Sequence, residues 1–146
     1  MKKEFEMSMV GELNYFLGLQ VKQQKDEIFI SQEKYAKNLV KRFSLDSKKH
    51  ASTPMSSSVK LSFDPTGVEV DPTLYRSMID ILLYLTASRL DIAFSVEVYA
   101  WFQAASKESH LTTVKRIIHY VNGTSDYGIW YSRDSNVCLA EYSNAD

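Results

Sequence analysis

The sequence contains a single cysteine among its 146 residues, and this scarcity excludes several classes of protein. Cys138 cannot form an internal disulfide, and it forms no metal-ligand motif with the scattered histidines His50, His110 and His119. One free thiol is typical of a protein from a reducing compartment. We therefore expect neither a disulfide-stapled secreted domain nor a zinc site, and we expect a cytoplasmic or nuclear location.

Long apolar runs are also lacking, and the start of the sequence does not predict a leader peptide. The most apolar stretches, such as Ile79–Leu85, are far shorter than the roughly 20 residues that a membrane helix needs. The charged start of the chain is not followed by the apolar core of a signal peptide. We therefore expect no association with a membrane.

Motifs for independent catalysis are missing as well. The sequence has no Gly-x-Ser-x-Gly nucleophile elbow and no glycine-rich phosphate loop, which argues against a hydrolase or a nucleotide-binding enzyme. The formal net charge is -1, from 17 lysines and arginines against 18 aspartates and glutamates, so any nucleic-acid-binding surface must be local.

What the sequence does contain is enough apolar material for one folded domain, with 45% hydrophobic and 12% aromatic residues. Two β-rich segments, Tyr15–Lys22 and Glu27–Ile30, flank a polar turn and predict an N-terminal hairpin. Ser31 is a suitable N-cap for the helix that follows. This helix has an apolar stripe on one side and a row of cations on the other: Lys34, Lys37, Lys41 and Arg42.

The rest of the chain predicts a long loop, three further helices and two strands. Asp46–Asp71 holds two prolines and six serines and predicts the loop. The helices begin at the cap Asp71 with Pro72, at Asp91 and at Ser106, and Gly123 ends the last one in a left-handed conformation. The segments 127–131 and 137–142 predict strands that begin another sheet. The expected fold class is α+β: an N-terminal β-hairpin, a bundle of about four helices and a truncated C-terminal strand pair.

Several segments, in colinear order, resemble one family of proteins. They include Glu-Leu-Asn-Tyr-Phe-Leu-Gly-Leu-Gln-Val (12–21), Ile-Ser-Gln-Glu-Lys-Tyr-Ala-Lys-Asn-Leu-Val-Lys-Arg-Phe (30–43), Leu-Leu-Tyr-Leu-Thr-Ala-Ser-Arg (82–89) and Tyr-Ser-Asn-Ala-Asp (142–146). The order resembles the part of copia-type retrotransposon reverse transcriptases, within the Pol polyprotein, that follows the polymerase active site. The resemblance implies three regions: 1–31 as the end of the palm with a primer-grip-like hairpin, 32–123 as a thumb-like helical region with the long loop 46–71, and 124–146 as the incomplete start of a ribonuclease H-like domain.

The resemblance also implies residues that contact nucleic acid. Leu17, Gly18 and Leu19 would form the turn that grips the primer end, whereas spacing alone favours Gly18 as the relief of a twisted or bulged strand. The helical cations Lys34, Lys37, Lys41 and Arg42, and further along Lys115 and Arg116, would contact phosphates. The alternative is that they form ordinary solvated helix faces.

The carboxylates that such a polymerase needs are not in this sequence. The family's metal-binding Tyr-Val-Asp-Asp block does not occur, and Asn144 stands where the ribonuclease H strand has its first aspartate. We therefore expect no catalytic residue, no metal and no cofactor in this chain, whereas the parent protein would use Mg²⁺. The expected partners are an RNA–DNA or DNA duplex and the missing remainder of the polyprotein. Two alternatives remain: a functionless relic of a decayed element, or a helical protein-interaction module with an exposed apolar face.

Overall fold

The computed structural model describes residues 13–16, 19–46, 48–56, 61–132 and 138–140, with the backbone alone described for 13–16 and 138–140. Within these ranges the strands are β1 (Leu13–Phe16), β2 (Leu19–Gln24), β3 (Glu27–Ser31), β4 (Gly128–Ser132) and β5 (Cys138–Ala140). The helices are α1 (Glu33–Lys37), α2 (Leu39–Arg42), α3 (Pro72–Leu85), α4 (Leu90–Ala100) and α5 (Glu108–Gly123). Helices and strands occur in one chain with antiparallel strands, so the predicted α+β class is confirmed.

The strands form one antiparallel sheet in the order β1-β2-β3-β4-β5. The predicted hairpin is confirmed at its turn, because Gln24 pairs with Glu27 across two residues. The prediction of one continuous segment Tyr15–Lys22 was wrong, since Phe16 of β1 pairs with Leu19 of β2 in an antiparallel pair. The expectation that the C-terminal strands begin another sheet was wrong, since β4 pairs with β3, with Trp130 opposite Phe29. The free edge of β3 presents unpaired N–H and C=O groups, and β4 satisfies them on its return past the helices.

Gly128 makes this pairing possible. A Cβ atom at this position would lie 2.3 Å from the carbonyl oxygen of Ile30 and 2.7 Å from Cζ of Phe29. Only glycine leaves room for so close an approach of β4 to β3.

The first predicted helix is two short helices in the structure. Ser31 is not its cap, because Ser31 is the last residue of β3 and pairs with both Gln20 and Gly128. The helical path is interrupted at Asn38, which ends α1 and precedes α2. The predicted apolar stripe is nevertheless on the inner side, where its central residues are buried: Ala36, Leu39 and Val40.

Helix α3 lies at the centre of the core, as its apolar circumference predicts. Its predicted start is confirmed: Oδ1 of Asp71 accepts a hydrogen bond from the backbone N–H of Thr73 at 2.9 Å, and Pro72 is the first helical residue. The side chains that α3 buries pack against α4 and α5: Tyr75, Met78, Ile79, Ile81, Leu82 and Leu85.

The predicted ends of α4 and α5 differ from the observed ones. Asp91 lies within the first turn of α4, after the N-cap Arg89, and its carboxylate accepts hydrogen bonds from the guanidinium of Arg89. Helix α5 begins after Lys107 and not at Ser106, since the backbone N–H of Lys107 donates to Nδ1 of His110 at 3.0 Å.

Gly123 is the last residue of α5 and does not adopt the left-handed conformation that its position predicts. Its small size serves a contact instead. A Cβ atom here would lie 2.6 Å from Nδ1 of His50, so the imidazole of His50 lies against the end of the helix.

The predicted long loop is confirmed over its described parts, which contain no regular helix or strand beyond one bridge between Glu69 and Lys107. The loop crosses the outside of α5 and of the segment that precedes it. The carbonyl oxygen of Ser62 accepts from Nε2 of His110 at 2.8 Å, and the ring of Phe63 meets Phe102 edge-on at 5.3 Å. None of the described helices is long and apolar enough to cross a membrane.

Candidate nucleic-acid interface

Four cations form a strip along the outer side of α1 and α2. Their side chains are exposed, as the sequence predicts: Lys34, Lys37, Lys41 and Arg42. Because the opposite side of both helices is buried, the two short helices cannot turn these cations inward without exposing the core. We call this surface the basic strip.

Little negative charge opposes the basic strip. Nζ of Lys37 lies 3.0 Å from Oε2 of Glu33, one helical turn earlier. No ion pair within 4.0 Å engages Lys34, Lys41 or Arg42 among the residues that the structure describes. Most of the positive charge of the strip is therefore available to an anion.

The strip is fixed to the rest of the fold by a hydrogen bond at its start. The backbone N–H of Lys34 donates to Oε1 of Gln20 at 2.6 Å, and this joins α1 to β2. Gln20 is buried, so its amide is held in a defined position. The orientation of the cations relative to the sheet is consequently set by the fold.

Lys115 and Arg116 do not extend the strip in the same way. Nε and Nη2 of Arg116 donate to the carbonyl oxygen and Oγ1 of Thr53, at 3.2 and 3.0 Å, so this guanidinium holds the long loop. Lys115 is half-buried and lines an open groove of about 510 Å³ together with Asp64 and Glu108. Arg116 is therefore engaged by Thr53, and Lys115 lies close to acidic residues of the same chain. Sequence spacing alone does not reveal either arrangement.

Two of the three residues of the primer-grip turn, Leu17 and Gly18, lie outside the described residues. Leu19 is the first residue of β2; it is half-buried and pairs with Phe16 of β1. Asn144, in the strand that resembles ribonuclease H, also lies outside the described residues. The role of Leu17, Gly18 and Leu19 stays a prediction.

Two exposed lysines in the segment that follows α2 were missed by the sequence reasoning. They are Lys48 and Lys49. Burial lowers the pKa of His119 on α5, and the positive charge of Lys49 lowers it further. The adjacent Lys-Lys pair was a visible signal, but its place in a long loop gave no helix face to which it could be assigned.

A buried charged network was also missed. The side chain of Arg89 is 1% exposed, and its Nε and Nη2 donate to the two carboxylate oxygens of Asp91 at 3.0 and 2.8 Å. Its Nη1 and Nη2 also donate to the carbonyl oxygen and Oγ1 of Thr124, at 3.0 and 2.7 Å. The network joins the start of α4 to the end of α5, where the chain turns toward β4.

The electrostatics of Asp91 and Tyr120 follow from this arrangement. Burial alone would raise the pKa of Asp91, but the hydrogen bonds and charge of Arg89, together with the hydrogen bond from Tyr120, hold it below the ordinary value. Burial raises the pKa of Tyr120, and its hydrogen bond to Asp91 raises it further. Asp91 is therefore ionised and Tyr120 neutral at physiological pH.

A second polar contact joins the sheet to the helices. Oγ of Ser88 donates to Oε1 of Gln32 at 2.5 Å, and Nε2 of Gln32 donates to the carbonyl oxygen of Tyr84 at 3.3 Å. Gln32, Ser88 and Arg89 are all buried. The polar residues of segments 30–43 and 82–89 that lie inside the protein thus hold its parts together.

Comparison with known proteins finds similarity to reverse transcriptases and to the Pol polyproteins of transposons. Residues 1–57 match the family model described as reverse transcriptase (RNA-dependent DNA polymerase). The whole chain is 34% identical to the Retrovirus-related Pol polyprotein from transposon RE1 of Arabidopsis thaliana, and 30% identical to that from transposon TNT 1-94 of Nicotiana tabacum. It spans 10% and 12% of these two polyproteins.

A shorter relative is similar over most of its own length. The chain is 30% identical, over 97% of its residues, to the uncharacterized mitochondrial protein AtMg00810 of Arabidopsis thaliana, and it spans 59% of that protein. No solved structure matches the chain. The resemblance found in the sequence is thereby confirmed: residues 1–57 match the reverse transcriptase model, and the chain is similar along its whole length to the Pol polyproteins of copia-type transposons.

Proposed function

We propose that this chain holds a template-primer duplex, an RNA–DNA hybrid or a DNA duplex, within a retrotransposon reverse transcriptase. The observation that carries the proposal is the basic strip: four exposed cations on one side of two helices, anchored to the sheet through Gln20. Lysine and arginine side chains that neutralise phosphates release condensed counterions, and this release drives binding without regard to base sequence. In this proposal the turn at Leu17, Gly18 and Leu19 approaches the primer end.

The strip predicts a particular kind of binding. The formal net charge of the chain is -1, so the duplex is attracted locally and not by the molecule as a whole. Binding should be weak, independent of base sequence and steeply dependent on salt. Lys115 and Arg116 add less in this proposal, because a phosphate must compete with the contacts that each already makes.

DNA synthesis and RNA hydrolysis belong, in the same proposal, to other parts of the Pol polyprotein. The family's carboxylate block for Mg²⁺ does not occur in this sequence, and the position of the first ribonuclease H aspartate is Asn144. This chain would then contribute positioning of the duplex, in the cytoplasm or the nucleus, and no catalytic group.

A salt titration of binding to a labelled RNA–DNA hybrid tests the proposal. Each phosphate contact contributes a slope of roughly -0.9 in log affinity against log salt for duplex DNA, and we expect a hybrid to be comparable. The double variant Lys37→Ala/Lys41→Ala should flatten the slope by up to about 1.8 if both lysines contact phosphate. The apolar side of the helices is untouched, so circular dichroism should show an unchanged fold.

The matched control is an exposed lysine away from the strip. Lys25 lies in the turn between β2 and β3 and is exposed like Lys41. Lys41→Ala should flatten the slope by roughly 0.9, whereas Lys25→Ala should leave it unchanged. Equal effects of the two single variants, or an unchanged slope in the folded double variant, would assign the lysines to an ordinary solvated face and favour the relic.

A further inference from the structure

Helix α4 carries apolar side chains on more sides than the fold covers. Its inner side packs in the core through Ile92, Val96 and Tyr99. Its outer side presents Leu90 and Phe94, and Trp101 directly after the helix continues the same row, at spacings of four and seven residues. Phe94 is 66% exposed and Trp101 76% exposed. A helix that is apolar around its circumference is normally covered on both sides.

The outer side of α4 is shaped as well as apolar. An open groove of about 450 Å³ runs between α3 and α4 and is lined by Leu83, Phe94, Glu97, Val98, Ala100 and Trp101. Glu97 is the charged residue in this lining. We call this surface, with its groove, the α4 face. Contiguous exposed apolar surfaces of this kind mark sites of protein association.

We infer that the α4 face binds the α4 face of a second copy of this chain, in a two-fold symmetric dimer. A two-fold interface requires that one surface supply both the projecting side chain and the groove that receives it. The α4 face meets this requirement, since Trp101 lines the groove and is also 76% exposed, so it is available to a second copy. This inference does not rest on the proposed binding of a duplex.

The chemistry of the groove favours a second copy over an unrelated apolar segment. The indole of Trp101 combines a large apolar surface with one N–H donor, and tryptophan at an interface usually finds an acceptor for that donor. Glu97 supplies an acceptor inside the groove, and among the described residues it forms no ion pair. In the dimer, Trp101 of each copy lies in the groove of the other and donates to Glu97 there.

The exposed apolar side chains of the α4 face supply part of the area that a stable dimer needs, and the polar surface around them must supply the rest. An aromatic side chain buries about 150 to 250 Å² when it is fully covered, so Phe94 and Trp101 together contribute roughly 300 Å² at their observed exposure. Each partner of a standard interface contributes about 800 Å². Leu83 and Leu90, 38% and 50% exposed, extend the apolar centre, which is where the energetically dominant residues of interfaces lie.

Sedimentation equilibrium of the full chain, without nucleic acid, tests the inference. We expect the wild-type chain to populate monomer and dimer in the micromolar range. Trp101→Ser should weaken dimerisation by about 30-fold for each of the two symmetry-related contacts, as expected for an interface hot spot. Phe94→Ser should act in the same direction. Both side chains are mostly exposed, so far-ultraviolet circular dichroism should be unchanged in each variant.

The chain offers a closely matched control. Phe63, in the long loop, is 64% exposed and therefore equal to Phe94 in residue type and exposure, but it lies outside the α4 face. Phe63→Ser should dimerise like the wild type. A wild-type chain that stays monomeric at high micromolar concentration would overturn the inference. So would open-ended association, equal loss in Phe63→Ser, or dimerisation unaffected by Trp101→Ser.

Discussion

Replacement of Arg89 by methionine should cost much of the stability of this domain. Methionine fills a similar elongated space but provides no charge and no donor. The carboxylate of Asp91, whose side chain is 12% exposed, would keep the hydrogen bond from Tyr120 at 2.6 Å and lose both bonds from Arg89. Removal of one member of a buried ion pair costs about 3 to 5 kcal/mol, because the other charge stays buried without compensation.

This loss is large compared with the total free energy of unfolding of a domain. Domains are stable by about 5 to 15 kcal/mol, and at this chain length each kcal/mol changes the melting temperature by roughly 2 to 4 °C. Urea unfolding followed by circular dichroism should show a lower midpoint at an unchanged slope. The matched control is Arg76→Met, because Arg76 is an exposed arginine on α3, and we expect a change within about 0.5 kcal/mol.

A double variant separates lost charge pairing from lost packing. Arg89→Met/Asp91→Leu removes both charges and should recover much of the loss, since apolar residues often replace a buried ion pair without a net cost. Recovery should be incomplete, because Tyr120 would lose its acceptor and Thr124 its donors. If Arg89→Met costs less than about 1 kcal/mol, or if the double variant is less stable than the single one, the reasoning is refuted.

Three further outcomes follow from the same structure. The folded-state pKa of Asp91 is lowered, so its contribution to stability is present above its ordinary pKa of 3.8 and is lost as the pH falls through the folded pKa. Acid unfolding should show this loss of stability in the wild type and a smaller loss in Arg89→Met. Gly128→Ala should lower the free energy of unfolding, measured in urea, by about 1 to 3 kcal/mol, because the added Cβ meets the backbone of β3. In Gly123→Ala the added Cβ meets the movable imidazole of His50, so stability should be unchanged or increased. Purified chain with Mg²⁺ should not extend a primer, and extension that follows the protein through successive purification steps would contradict the proposed division of labour.

The helices could be predicted well because each has a local signal. Apolar spacing located the inner sides of α1 to α5, and the Asp71-Pro72 pair located the start of α3. The starts at Asp91 and Ser106 were wrong because other local hydrogen bonds form there. Asp91 bonds the neighbouring side chain of Arg89, and the backbone N–H of Lys107 bonds His110 in the first turn of α5.

The sheet and the buried network could not be predicted from local patterns. The pairing of β3 with β4 joins residues about a hundred positions apart, and nothing in either strand specifies its partner. Arg89 reads as a solvent-exposed residue at the end of a helix, because arginine is rarely buried unless it is paired. Its burial depends on Thr124, which lies far along the chain.

The sequence predicted correctly that the cations of the basic strip are exposed. Their contact with nucleic acid remains a prediction. Gln32, Ser88 and Arg89, which belong to the segments that carry the family resemblance, are buried and hold the sheet and helices together. The cations of the basic strip are exposed, and among their described side chains only the ammonium of Lys37 forms an ion pair within the chain. The fold of this chain and the charge of the strip depend on different side chains. We therefore expect that the charge of the strip can be removed while the fold is kept. Similarity to Pol polyproteins is therefore evidence about the fold of this chain. The salt dependence of the lysine variants is the test of whether the chain still holds a duplex.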